Sequence, residues 1–225
     1  MSLKEVARRV MPRPLVAAIK AVRHRREFGG LDHAQVFAKI HAENLWRNDE
    51  SVSGNGSTVA ATAALRTALR DWLAAHRPRT FVDMACGDFN WMQHVVFPEA
   101  TLYRGVDIVP ALIAGVQQRF GSASRSFAVG DILTSELPDA EVYFCKDLFL
   151  HFPNAAIAAA TARVLPRCEY FLSTTFPEVA ENEDIRFGAG RRFNLALVLG
   201  EAVELLPDFA GDDTGRYIGV WRGVR

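Results

Sequence analysis

The sequence predicts an α/β fold with a doubly wound sheet of parallel strands. Three observations support this fold class. Short apolar runs alternate with helical patterns from residue 79 onwards, which is typical of repeated strand–helix units. The runs are unbroken rather than alternating, as expected for strands that are covered on both faces. Two more strands lie close together near the carboxyl terminus, which predicts an antiparallel hairpin and seven strands in all.

Residues 1–30 form a basic arm whose apolar residues recur at helical spacing. Pro12 and Pro14 are expected to divide this helix into two parts, and Gly29 and Gly30 end it. Two interpretations remain open. The arm lies on an acidic membrane surface as an amphipathic helix, or it packs on the domain and leaves a basic face in water. The apolar positions are Leu3, Val6, Val10, Leu15, Ile19 and Val22.

Residues 31–78 are predicted to form a helical cap, or lid, over a core made by residues 79–225. Asp32 is a candidate N-cap for a helix in "DHAQVFAKIHAENLW". A loop rich in Gly and Ser, "SVSGNGS", leads into a second helix of about 18 residues, which Pro78 ends. The buried face of that helix is predicted to contain Leu65, Leu69, Trp72 and Leu73.

The core reads as five strands separated by helices, followed by the hairpin. The five strands are "TFVDMAC", "TLYRGVDIV", "SRSFAVGDI", "AEVYFCKDL" and "CEYFLSTTF". The predicted helices are "NWMQHVVF", "PALIAGVQQRF" and "NAAIAAATARVL", which follow the first, second and fourth strands. The hairpin pairs "AVELLP" with "RYIGVWR" across the turn "DFAGDDTG".

The charge is balanced overall but divided unevenly. Of 26 basic and 26 acidic residues, eight basic and one acidic fall within residues 1–26, so the remaining 18 basic and 25 acidic residues give a net charge of −7. An acidic body lacks the basic surface that nucleic acid binding needs, so no nucleic acid partner is predicted. Three cysteines without metal spacing predict reduced thiols. A cytoplasmic protein is expected, with residues 1–26 as a candidate for peripheral contact at the inner membrane face.

Polar side chains follow each of the five core strands. Ligands bind at the carboxyl ends of the strands in an open parallel sheet, so these groups are expected to share one site. A carboxylate after the second strand suits ribose hydroxyls, and one after the third suits the amine of an adenine. The strand-end residues are Asp83, Cys86, Gly87 and Asp88; Asp107; Asp131; Lys146 and Asp147; and Thr174 and Thr175.

The turn after the first strand, "DMACGD", has one glycine and two acids. A dinucleotide site needs the pattern G-x-G-x-x-G, with the pyrophosphate at a helix N-terminus. Two carboxylates would repel a pyrophosphate but attract a cation. The pattern therefore favours an adenosine with a positive, amino-acid-like tail, namely S-adenosylmethionine.

The segments "FVDMACGDFNWM", "YRGVDIV" and "VGDI" resemble the first three motifs of class I S-adenosylmethionine-dependent methyltransferases. The segments "CKDLFLHF" and "NEDIRFGAGRRFNL" are similar to those of a group of small bacterial methyltransferases. The first motif departs from the common D-x-G-x-G-x-G form at Ala85, Cys86 and Asp88. The resemblance implies a Rossmann-like sheet of seven strands and covers residues 56–222.

The resemblance also implies roles for individual residues. Asp83, Cys86 and Gly87 would line the methionine part of the cofactor. Asp107 would hold the ribose and Ile108 would pack on the adenine, while Asp131 and Ile132 would meet the adenine edge. Lys146 and Asp147 would lie near the sulfonium. The loop from Ser53 to Ser57 is expected to fold over the cofactor, with Trp46 as part of the lid.

His151 is the predicted catalytic base, because it lies just beyond the fourth strand and a hydroxyl acceptor must lose a proton. A structural histidine bonded to its loop is the alternative, and Asp147 is the other candidate base. Arg191, Arg192 and Asn194 are predicted to bind an anionic or sugar-like substrate. The alternatives are a solvated basic loop or internal pairing with Glu181, Glu183 and Asp184. No cluster clearly resembles a metal site, so no metal is predicted, with Asp147 and His151 together as the alternative.

These observations predict an O-methyltransferase that acts on a small molecule, a glycan or a lipid-linked precursor. Two other functions stay open. One is a non-enzymatic, Rossmann-like binding module that the N-terminal arm anchors to a membrane or a partner. The other is an NAD-dependent dehydrogenase, which the missing glycines disfavour.

Overall fold

The computed structural model describes residues 13–208 and 215–224. In this part of the chain seven strands form one sheet in the order β3-β2-β1-β4-β5-β7-β6. Strands β1 to β5 run parallel, and β7 pairs antiparallel with both β5 and β6. The strands are β1 (Thr80–Met84), β2 (Leu102–Asp107), β3 (Arg125–Val129), β4 (Val142–Cys145), β5 (Tyr170–Thr175), β6 (Glu204–Pro207) and β7 (Tyr217–Arg222). The predicted fold class is confirmed, including the closing hairpin.

Helices cover both faces of the sheet, as the unbroken apolar strands require. The α-helices are α1 (Arg13–Phe28), α2 (His33–Ala42), α3 (Ala63–His76), α4 (Pro110–Phe120), α5 (Asn154–Val164) and α6 (Ala196–Leu199). Successive residues of β1 point to opposite faces. Phe81 packs in the cluster that contains residues of α3 and α4, whereas Val82 packs in the cluster that contains residues of α2 and α5.

Helix α2 begins at the predicted N-cap, and α3 buries the predicted face, although α3 has 14 residues instead of about 18. The side chain of Asp32 accepts a hydrogen bond from the backbone N–H of Gln35, and the Gln35 side chain accepts one from the Asp32 N–H. This reciprocal pair satisfies two donors that a helix start leaves without partners. The four residues predicted for the buried face of α3 are buried in the core.

One local prediction is wrong. The segment after β1 forms turns and one short 3-10 helix, Met92–His94, rather than an α-helix. The division of the arm at Pro12 and Pro14 stays a prediction, because α1 begins at Arg13 and Pro14 lies in its first turn, where a missing N–H costs nothing. The part of the arm before residue 13 lies outside the described residues.

Helix α1 contacts the body through one side of its C-terminal half. Phe28 is buried in the core, and Nε2 of His24 lies 2.8 Å from the carbonyl oxygen of Phe187. Leu15, Ile19 and Val22, the apolar residues predicted for this helix, are exposed instead of packed on the domain. Among the described residues no helix is long and apolar enough to cross a bilayer.

Candidate active site

A cavity of about 350 Å³ lies at the carboxyl ends of the central parallel strands, where an open α/β sheet binds its ligands. Its floor is made by the strand ends and the turns after them. Its other wall comes from α2 and from the loop of residues 52–57. All ten residues predicted for the cofactor and for catalysis line it: Asp83, Cys86, Gly87, Asp107, Ile108, Asp131, Ile132, Lys146, Asp147 and His151.

Asp83, on β1, is almost fully buried. Its carboxylate accepts a hydrogen bond of 2.5 Å from the hydroxyl of Tyr103, on the neighbouring strand. Burial raises the pKa of Asp83 to about 7, against the lowering effect of the Tyr103 hydroxyl, and the nearby Asp107 carboxylate adds to the rise. A positive charge placed beside this carboxyl would stabilise its ionised form.

Asp107 fixes the turn that follows β1. Its two carboxylate oxygens accept hydrogen bonds from the backbone N–H groups of Gly87, at 3.1 Å, and Val109, at 3.0 Å. Gly87 has φ of +58°, and a Cβ there would collide with the hydroxyl of Ser53 in the lid loop. The one glycine of the "DMACGD" turn is therefore required for the turn and for the close approach of the lid.

Cys86, next to Gly87, is a buried thiol. Burial raises its pKa, and the negative charges of Asp107 and Asp83 raise it further. The thiol therefore stays protonated and lines the cavity as a small apolar surface.

Asp131, after β3, is held by a residue of the lid. Its Oδ2 lies 2.8 Å from Nε2 of His33, at the start of α2, and accepts a hydrogen bond from the Thr134 hydroxyl. Its Oδ1 accepts a hydrogen bond from the backbone N–H of Leu133. Burial acts to raise the pKa of Asp131, but the hydrogen bonds from Leu133 and His33 outweigh it and lower that pKa. The ionised carboxylate thus ties the lid to the core.

Four charges, three of them buried and Asp147 half-buried, form a network beside the cavity. Asp147 Oδ2 lies 2.7 Å from the Lys146 ammonium and 2.5 Å from the Arg216 guanidinium. Arg216 also donates to Asp208 at 2.7 Å. Burial would raise the pKa of Asp147, but Arg216 and Lys146 hold it well below its usual range. Two acids and two bases therefore balance one another.

Sequence reasoning missed Asp208 and Arg216. Asp208 follows β6 and Arg216 precedes β7. Both therefore lie at the strand ends that the hairpin connection joins. Their sequence signal is only that each is a charged residue beside an apolar strand, and that pattern is common on protein surfaces.

The lid loop is bound to the cavity floor at several points. The carboxylate of Asp88 accepts a hydrogen bond of 3.0 Å from the backbone N–H of Val52. Asn90 donates to the carbonyl of Ser57, and the Lys146 ammonium donates to the carbonyl of Gly56 at 2.8 Å. The loop from Ser53 to Ser57 therefore lies over the strand ends, as the sequence predicts.

His151 has the geometry of a base with one free nitrogen. Its Nδ1 lies 2.9 Å from the carbonyl oxygen of Ala189, which requires a proton on Nδ1. In the described part of the chain, Nε2 has no hydrogen-bond partner. The ring packs against Trp46, with centroids 5.1 Å apart and planes tilted by 30°. Burial lowers the pKa of His151, against the raising effect of the Ala189 carbonyl. The imidazole is therefore neutral near pH 7, with a lone pair on Nε2.

His41, on α2, is a second cavity histidine, which sequence reasoning missed. Its Nδ1 is buried and has no hydrogen-bond partner among the described residues. Burial raises the pKa of Asp107, while hydrogen bonds from Val109 and Gly87 and the charge of a protonated His41 oppose that rise. His41 and Asp107 line the same cavity.

The three residues predicted to bind substrate do not line the cavity. Arg191 donates to the backbone carbonyls of Phe149 and Leu150. Arg192 is exposed and pairs with Glu178 at 3.0 Å. Asn194 is buried and donates to the carbonyls of Pro177 and Val179. These contacts hold the segment between β5 and β6 in place. None of them is an ion pair with Glu181, Glu183 or Asp184, the acids named for the alternative of internal pairing.

The fold is similar to that of solved methyltransferases. DhpI, solved in complex with SAH, matches with a TM-score of 0.58 and 13% identity over 86% of this chain and 100% of that one. Human N-acetylserotonin methyltransferase in complex with SAM matches with a TM-score of 0.57 and 12% identity over 72% of this chain. The mitomycin 7-O-methyltransferase MmcR matches with a TM-score of 0.56 and 16% identity over 73% of this chain.

The match spans only 52% of the human enzyme and 54% of MmcR. No protein-family model matches the sequence, and no curated protein matches it. At these identities the similarity establishes the fold. The chain has the Rossmann-like fold of class I methyltransferases, and the resemblance of its motifs is confirmed at that level.

Proposed function

We propose that this protein is an S-adenosylmethionine-dependent methyltransferase. One observation carries the proposal. Five carboxylates, with no phosphate-binding glycine turn, line a single cavity at the strand ends of this fold: Asp83, Asp88, Asp107, Asp131 and Asp147. The cations in the same lining, Lys146 and Arg216, are already paired with acids. Such a cavity favours a cationic nucleoside over a dinucleotide.

The residues present fit each part of this cofactor. Asp107 would accept hydrogen bonds from the ribose hydroxyls, and the buried, unpartnered Nδ1 of His41 offers them a further acceptor or donor. The adenine would lie among the apolar side chains of Ile108, Leu112 and Ile132, which line the cavity together. Asp83 would face the positive amino-acid tail.

S-adenosylmethionine supplies a methyl group that is activated by its bond to a sulfonium sulfur. The protein must therefore orient the acceptor and remove its proton. In the proposed mechanism, Nε2 of His151 takes the proton of a hydroxyl acceptor while the Ala189 carbonyl keeps Nδ1 protonated. Asp147 is the poorer base, because its carboxylate is shared between two cations. We assign it the role of positioning Lys146 and the lid.

The acceptor is proposed to be a hydroxyl of a small molecule, a glycan or a lipid-linked precursor. Two neighbouring side chains support this class. The neutral His151 supplies the base that a hydroxyl acceptor needs, and the aromatic face of Trp46 suits a flat or ring-shaped acceptor. MmcR is by name an O-methyltransferase. A cytoplasmic location, with or without contact at the inner membrane face, belongs to the same proposal.

Two other functions are less well supported. A dehydrogenase that uses NAD would place its pyrophosphate near Asp83 and Asp88, which would repel it. A binding module without catalysis would not need His151 to keep Nε2 free. Binding of NADH in the titration described below would indicate the dehydrogenase.

The test is calorimetric titration with S-adenosylhomocysteine and, separately, with NADH. We expect micromolar binding of S-adenosylhomocysteine and none of NADH. The His41→Ala variant should bind about tenfold more weakly, since it loses one hydrogen bond to the ribose. Asp71→Ala, at an exposed position on α3, is the matched control and should bind as the parent does. Failure of a folded parent protein to bind S-adenosylhomocysteine would overturn the proposal.

A further inference from the structure

Helix α1 presents an apolar stripe that no described part of the chain covers. Leu15, Ile19 and Val22 are 49%, 50% and 69% exposed. Their spacing of four and three residues places them on one face of the helix. The helix meets the body through His24 and Phe28, which lie on the opposite side. The stripe therefore points away from the domain.

Basic residues surround the stripe. Arg23 follows Ile19 by four residues and Arg26 follows Val22 by four, so both extend the exposed face. Lys20 and Arg25 lie farther round the helix. All four are exposed, and in the described parts of the chain none of them forms an ion pair. An apolar strip with unpaired cations on its flanks is the arrangement of a helix that lies in a membrane interface.

We propose that α1 docks this protein on the surface of a bilayer that contains anionic lipids. The apolar side chains would enter the boundary between headgroups and acyl chains, and the basic side chains would meet the lipid phosphates. A second copy of this chain is a poorer occupant. Two-fold pairing of this helix would bring the unpaired basic residues of both copies into one interface.

Docking would also place the cavity near the bilayer. Only residues 29–32 separate α1 from α2, and α2 provides Phe37, Ile40 and His41 to the cavity lining. A helix held in the interface would therefore keep the lid side of the cavity close to the lipid. This docking does not depend on the proposed methyltransferase activity and is tested without it.

The experiment is co-sedimentation of the full chain with two kinds of vesicle: phosphatidylcholine alone, and an equal mixture of phosphatidylcholine and phosphatidylglycerol. We expect binding to the mixed vesicles that weakens as salt is raised. Ile19→Asp should reduce it roughly tenfold or more, since it removes an apolar anchor and adds a negative charge. Leu197→Asp is the control, because Leu197 is 54% exposed on α6, away from the stripe.

A second variant tests the same face without changing its apolar residues. Arg23→Gln combined with Arg26→Gln should weaken binding to the mixed vesicles and reduce its salt dependence. Circular dichroism and thermal unfolding of each variant check that it is folded. The proposal is overturned if the intact chain does not bind the mixed vesicles, or if Ile19→Asp binds them as Leu197→Asp does. A dimer that Ile19→Asp dissociates would assign the stripe to a second copy instead.

Discussion

Replacing Asp83 by asparagine should make the protein more stable at neutral pH. The Asp83 carboxyl is 3% exposed, and burial raises its pKa from 3.8 to about 7. Between these two values the folded state keeps a proton that the unfolded state has lost. Folding stability therefore falls as pH rises from about 4 to 7, and the penalty stays constant above that range. Asparagine has the same shape and carries no charge, so it removes the penalty.

The magnitude follows from the two pKa values. Each pH unit between them corresponds to about 1.36 kcal/mol, so the shift from 3.8 to about 7 is worth about 4 kcal/mol above pH 7. At pH 5 only roughly a third of this penalty is present. The stability gained by Asp83→Asn should therefore be about 3 kcal/mol larger at pH 8 than at pH 5. The amide oxygen of the introduced asparagine would still accept the hydrogen bond from Tyr103.

The assay is urea unfolding of the parent and of Asp83→Asn at pH 5 and pH 8. Comparing the two proteins at each pH cancels every other titrating group. Tyr103→Phe is a useful companion, because it removes the hydroxyl that favours the charged carboxylate and should steepen the pH dependence of the parent. If the difference between parent and Asp83→Asn is the same at both pH values, Asp83 is ionised throughout and the reasoning is refuted.

Two further predictions concern the base and the glycine turn. The imidazole of His151 should titrate below 6.5 in an NMR experiment and should carry its proton on Nδ1 when neutral, because the ring is buried and Nδ1 faces the Ala189 carbonyl; a value above 6.5 would remove it as a neutral base at pH 7. The pKa of His151 is lowered in the folded state. The contribution of His151 to folding stability is therefore present above pH 6.5 and is lost as the pH falls through the folded-state pKa. Gly87→Ala should lose about 1–2 kcal/mol of stability and weaken binding of S-adenosylhomocysteine, because φ there is +58° and the Cβ would displace Ser53. Gly115→Ala, in an open position of α4, is the matched control and should gain stability slightly; equal effects of the two substitutions would show that the turn does not need glycine.

The strand-end groups were predictable because their positions depend on local pattern alone. An apolar run of five or six residues makes a buried strand, and the next polar residue must then lie at the carboxyl edge of the sheet. Asp83, Asp107 and Asp131 follow this rule and line one cavity. The cap of α2 at Asp32 and the buried face of α3 are equally local.

The sequence by itself therefore determined which functional group lies at the end of each strand. It also determined that these groups meet at the carboxyl edge of the sheet. Only the tertiary structure decided which groups pair there. His33 reaches Asp131 across 98 residues, Lys146 reaches Gly56 across 90, and Arg216 reaches Asp147 across 69. No periodic pattern encodes such contacts, because each depends on how separate elements pack. The same packing directs Arg191 and Asn194 to backbone carbonyls and leaves the apolar stripe of α1 exposed.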